Sequence, residues 1–168
     1  YQNTAQFSIL DDGIEFIGGF SLLGGRIYST SVFDNISSLT VNKGKPNNFK
    51  VIGKRFEITD SLITSKQVSF TTYIKEDSIH NPAVQFRYEP ETKQLQLVKL
   101  PKGGYRNSMY SDTFHEMDIK SDGLKWNLND GNMDFHIISA KSEIPAVFES
   151  FNYFNPYSDF YVKRLSSP

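Results

Sequence analysis

His115 and Glu116 stand side by side, the pair from which a zinc protease could be built. A zincin helix also needs a second histidine four residues on, with the glutamate as base. That position is Ile119, and the residues around it alternate as a strand does. His115 therefore reads as a strand histidine hydrogen-bonded to a neighbour, and no metal ligand set is expected. Asp122, Asn127, Asn129, Asp130, Asn132 and Asp134 form the densest patch of oxygen donors. Calcium takes such ligands, but an EF-hand loop spaces its acids at alternate positions and closes with a glutamate, a register this stretch lacks. Successive turns explain the Asp and Asn content, because both residues tolerate left-handed backbone and cap turns through their side chains.

Other chemistry fares no better. Gly19, Gly24 and Gly25 approach the spacing of a phosphate-binding loop, yet Gly25 stands where lysine is required and no helix follows. Glu76, Asp77, Glu89, Glu91, Glu116 and Asp118 could supply the paired carboxylates of a small glycoside hydrolase or lyase, but all fall at strand ends or turns, where solvated acids are ordinary. No serine sits in a Gly-x-Ser-x-Gly elbow. Asn35-Ile36-Ser37 is a glycosylation acceptor only on a eukaryotic secretory route. No catalytic residue and no cofactor is assigned. Aromatic side chains near loops offer a binding chemistry instead, since a Tyr or Trp face stacks on the apolar face of a sugar. The candidate ligand-binding residues are Tyr105, Tyr110 and Trp126, with Arg106 and His115 as polar companions. Trp126 also alternates with Leu124 and Leu128, the pattern of a core residue.

The elements that must position these residues read as strands. The clearest is a hairpin: Val84, Phe86 and Tyr88 alternate, Glu89-Pro90-Glu91-Thr92-Lys93 turns, and Leu95 and Leu97 resume the alternation. Before it, Val68, Phe70, Thr72 and Ile74 share one face of a long strand that Lys75-Glu76-Asp77-Ser78 ends. Ala5 to Leu10 and Ile14 to Ile17 flank an Asp11-Asp12-Gly13 turn, and Gly18-Gly19 and Gly24-Gly25 bracket the short apolar run Phe20 to Leu23. Arg26 to Phe33 alternates again. Past the hairpin, an irregular Tyr-bearing stretch from Pro101 to Thr113 is the best candidate for a functional loop. Strands are expected over Phe114 to Ile119, Leu124 to Leu128 and Met133 to Ile138, and the one helix candidate is near Ser142 to Phe151.

A length of 168 residues suits one domain over 1–168. Aromatics at 14%, with Phe 14 and Tyr 9, favour pleated, half-buried surfaces. Lys+Arg 18 against Asp+Glu 19, with no block of like charge, argues against nucleic acid. No apolar stretch approaches the roughly 20 residues a transmembrane helix needs. Zero cysteines exclude disulfides, thiolate zinc and a Cys nucleophile. The chain opens Tyr1-Gln2-Asn3 without methionine or leader, as a processed or excised piece of a longer polypeptide would.

Three stretches resemble a family of large Bacteroidetes envelope proteins: Gly19 to Thr30; Glu76-Asp77-Ser78-Ile79-His80-Asn81-Pro82 leading into Phe86-Arg87-Tyr88; and Ser111 to Ile119 with Phe148 to Phe154. In that family a histidine after the Asp-Ser-Ile step runs directly into proline, whereas Asn81 intervenes here. The resemblance implies an exported module in the periplasm or at the cell surface, β architecture, a non-catalytic role, and structural duties for His80 and His115. The expected fold is a single all-β domain, a jelly-roll-like β-sandwich, with a right-handed β-solenoid as the alternative. Its core would hold Phe16, Phe20, Leu22, Phe49, Val51, Phe56, Ile58, Phe70, Ile74, Phe86, Leu95, Leu97 and Phe135. The expected function is structural or protein-interaction contact with neighbouring domains or subunits of an envelope assembly. Carbohydrate binding is the alternative, and a glycosidase or lyase the third reading.

Overall fold

The computed structural model describes residues 5–8, 13–29, 36–138 and 142–151, which hold sixteen strands and no helix. The N-terminal part contributes β1 (Ala5–Ser8), β2 (Ile14–Gly18), β3 (Phe20–Leu23), β4 (Arg26–Ser29), β5 (Ser37–Val41), β6 (Phe49–Gly53) and β7 (Glu57–Ile58). The centre holds the longest strands, β8 (Ile63–Ile74) and β9 (Asp77–Glu89), followed by β10 (Gln94–Lys99). The remainder is β11 (Tyr110–Asp112), β12 (Met117–Lys120), β13 (Gly123–Asn127), β14 (Met133–Ile138), β15 (Glu143–Pro145) and β16 (Val147–Ser150). The ladders among them are antiparallel. The right-handed solenoid is thereby corrected, because stacked coils of that kind pair in parallel.

Everything is organised on the β8–β9 hairpin. Ile74 pairs with Asp77, leaving Lys75-Glu76 as the turn, with Lys75 at φ 58. Along their length the two strands change neighbours. The Val68–Thr72 part of β8 pairs with β6, whereas Ile63 and Thr64 pair with β7. Likewise Ile79 and His80 of β9 meet β11, whereas Val84 to Glu89 meet β10. The change falls where the β8–β9 register shifts, between Ser65 and Val68 and again between Val68 and Phe70. Such bulges bend a strand and increase its twist. Pro82 sits at the second shift, between the Phe70–Asn81 and Val68–Val84 pairs, where a missing N–H costs the ladder least. Buried Asn81 completes the repair: its Oδ1 accepts from Ala83 N at 3.0 Å and lies 3.3 Å from Ser108 Oγ, which donates to it.

Two branches leave this spine. One runs β1-β2-β5-β6 to β8, then from β9 to β11-β12-β16; the other runs β3-β4-β7 to β8, then from β9 to β10-β13-β14-β15. Aromatic contacts join parts of the chain that are not sheet neighbours. Phe49 of β6 packs on Trp126 of β13 with centroids 6.3 Å apart, Tyr110 of β11 on Phe135 of β14 at 5.1 Å, and Phe16 of β2 on Phe56 at 6.1 Å. Apolar residues of both branches thus form one cluster.

Several expectations need correction. Phe20 and Leu22 are 44% and 69% exposed rather than core, on a β3–β4 hairpin whose strand ladder to the rest runs, among the described residues, through the two-residue β7. Ile74 and Phe135 are half-buried and pack against the core from outside it. The segment near Ser142 to Phe151 forms β15 and β16, not a helix. Asp77 opens β9 instead of closing a strand, and 113–116 is a turn between β11 and β12. The parts of the expected strands at 9–10 and at 30–33 lie outside the described residues, as do residues 152–154 of the third resembling stretch.

Candidate functional site

A cavity of about 550 Å³ opens between the ends of the two branches. Its walls are mainly apolar: Ile74 of β8, Ile79 of β9, Met117 of β12, Met133 and Phe135 of β14, and Phe148 of β16. Trp126 closes part of it, and Asp112 and His115 supply its ionisable groups.

The Asp112–His115 pair follows from how the chain turns between β11 and β12. Asp112 pairs with Met117 across the turn, so residues 113–116 must reverse the backbone, and Glu116 does so at φ 53. Asp112 holds the first half in an Asx-turn: its Oδ1 accepts from His115 N at 3.1 Å, and His115 Nδ1 lies 2.7 Å from its Oδ2. Thr113 fixes the turn to β9, its N donating to Ser78 O at 3.0 Å while its Oγ1 accepts from Ser78 N at 2.9 Å. The Asp112 side chain is 3% exposed, whereas that of His115 is 54% exposed, so the pair presents a ring braced from behind by a buried acid. His115 is thus a turn histidine, not the strand histidine expected.

Of the five sequence candidates, His115 and Trp126 line this cavity, and Tyr110 is buried behind its wall against Phe135. Tyr105 and Arg106 are exposed in the loop 101–109 and do not line it. Tyr110 and Trp126 are each 1% exposed, and neither presents a ring face to solvent. Their polar atoms, Tyr110 Oη and Trp126 Nε1, are buried without a hydrogen-bond partner among the described residues. Burial pushes the Tyr110 phenol well above the ordinary tyrosine range.

A second cavity, of about 770 Å³, shares Asn47, Tyr73 and Ile74 with the first. Lys43, Lys45, Lys50 and Lys75 line it. Asn47, which the sequence did not single out, stands at the junction: it adopts φ 55, and its Nδ2 donates to Leu128 O at 2.8 Å, tying the loop after β5 to the turn after β13. The cluster of Asn-rich turns at 42–48 was its only signal in the sequence.

Among the described residues no three His, Cys, Asp or Glu side chains converge as a metal site. The oxygen-rich patch is occupied with its own backbone: Asn127 Oδ1 accepts from Asn129 N, and Asp130 Oδ1 from Asn132 N, both at 2.9 Å. Among the described residues no helix is long and apolar enough to cross a membrane. No family model, no curated protein and no solved structure matches this chain.

Proposed function

We propose that this chain is a non-catalytic interaction module of a larger exported protein of the bacterial cell envelope, making contact with neighbouring β domains or subunits. The observation that carries the reading is exposed apolar surface on strands that, among the described residues, are paired along one side. Among the described residues β16 pairs only with β12, and β3 only with β4. On these strands Val147 and Phe148 are 45% and 55% exposed, and Leu22 and Leu23 are 69% and 70% exposed. Proteins that work alone blunt such edges with charge, proline or a covering element, whereas an edge left apolar is the template for strand addition. The envelope location rests on the family resemblance.

The two competing functions have less support. Asp112 is the one carboxylate on the first cavity and Glu15 the one on the second among the described residues, so neither offers the flanking acids that glycoside cleavage requires. A sugar platform of Tyr105, Tyr110 and Trp126 would need their ring faces together on the surface; Tyr105 is exposed, but Tyr110 and Trp126 are buried. We read the two branches as the layers of a sandwich, supported by the Phe49–Trp126 and Tyr110–Phe135 contacts. The jelly-roll-like order is favoured by β10, which passes to β13 while β11 and β12 join the other branch.

Amide exchange provides the test. In a longer polypeptide carrying this chain, β3 and β16 are expected to exchange much more slowly than in the isolated chain. Equal, rapid exchange in both would remove the proposal.

A further inference from the structure

The apolar chamber and the lysine-lined groove share a rim, and their chemistries are complementary halves of one ligand. The chamber offers Ile74, Ile79, Met117, Met133, Phe135 and Phe148, and its volume of about 550 Å³ lies within the usual small-molecule range of roughly 300–1,000 Å³. Met117 and Met133 give the wall side chains that adapt to a flexible chain. Across the rim at Asn47, Tyr73 and Ile74 the lining turns basic. Lys43 is paired with Glu15 at 3.2 Å, but Lys45, Lys50 and Lys75 have no carboxylate partner among the described residues. Lys75 follows Ile74 directly and Lys45 lies two residues before Asn47, so both stand next to the rim.

We propose that these two cavities, which meet at Asn47, Tyr73 and Ile74, bind a single-chain anionic amphiphile, its alkyl chain in the chamber and its carboxylate or phosphate head on the lysines. Polarity is set by charge. The chamber's one carboxylate, Asp112, is buried against His115, while beyond the rim stand three lysines without acidic partners among the described residues. Burial of the alkyl chain provides the affinity, and the lysines choose the sign of the head. The site shares Phe148 with the β16 edge, but the rest of the chamber lining and the lysines lie off that strand, and ligand titration of the isolated chain tests it apart from the exchange comparison.

Trp126, the single tryptophan, lies in the chamber wall and reports on it. Titration with hexadecanoate below its aggregation concentration is expected to change Trp126 emission saturably. Hexadecyltrimethylammonium, with the same tail and opposite head, should bind about tenfold more weakly or worse. Inorganic phosphate, a head without a tail, should neither change the emission nor compete. The double variant Lys45→Glu with Lys75→Glu should weaken hexadecanoate by about tenfold and leave hexadecanol unaffected. An unsaturable signal, equal binding of both head groups by the wild-type chain, or full competition by phosphate would each overturn the proposal. The wild-type comparison decides the matter even if the double variant does not fold.

Discussion

Gly123 owes its place to a histidine. A Cβ built there would stand 2.5 Å from His136 Nε2 and 2.8 Å from its Cε1, and His136 is 5% exposed, with little room to give way. Gly123→Ala is therefore expected to destabilise the protein by about 1–3 kcal/mol, read as a lower urea midpoint at unchanged slope. Tyr110 poses the opposite case, because its hydroxyl is buried with no partner among the described residues. Deleting an unpaired buried hydroxyl removes a desolvation cost, so Tyr110→Phe should raise stability by about 1 kcal/mol. The same residue sets a pH dependence. Its folded phenol is raised, so an unfolded chain loses that proton first, near pH ~10, and stability that is complete below this falls as pH rises past it. Unfolding measured across that range should show a shallower alkaline decline in Tyr110→Phe than in the wild type.

At the level of elements, the turns decide what can be read in advance. The β9–β10 hairpin is legible because Val84, Phe86 and Tyr88 alternate against Leu95 and Leu97, and the structure pairs Phe86 with Leu97 and Tyr88 with Leu95. Its one strained residue is Lys93 at φ 55. Lys93→Gly is expected to raise the melting temperature, relieving a left-handed residue that costs about 1–2 kcal/mol without a Gly hydrogen in place of Cβ. The β8–β9 hairpin was not legible: Lys75-Glu76 carries no turn signature, and Pro82 reads as a boundary when it occupies a bulge. Glu116 hid the β11–β12 turn in the same way, by taking left-handed backbone with an ordinary side chain. Phe20 and Leu22 show the converse limit, since alternation reports two faces but not whether anything packs on either.

Across the whole molecule, the candidate site draws on residues from Asn47 to Phe148, and only the fold brings them together. Local pattern could nominate Trp126 and His115 by type, but it could not separate them from Tyr105 and Arg106, which lie elsewhere. Asn47 carries one direct tie between the loop after β5 and the turn after β13. Asn47→Gly keeps its left-handed backbone and deletes that tie, so a loss of about 0.5–1.5 kcal/mol in urea unfolding is expected. The long central hairpin also orders events in time. Its strands are the two longest, adjacent in sequence and closed by the two-residue Lys75-Glu76 turn, whereas a strand such as β16 must find β12 across the chain. Val84→Ala should thus slow refolding in stopped-flow mixing, while Val147→Ala should leave that rate alone and hasten unfolding. The chain's kinetic nucleus then coincides with the bent ribbon that both branches later use as their common wall.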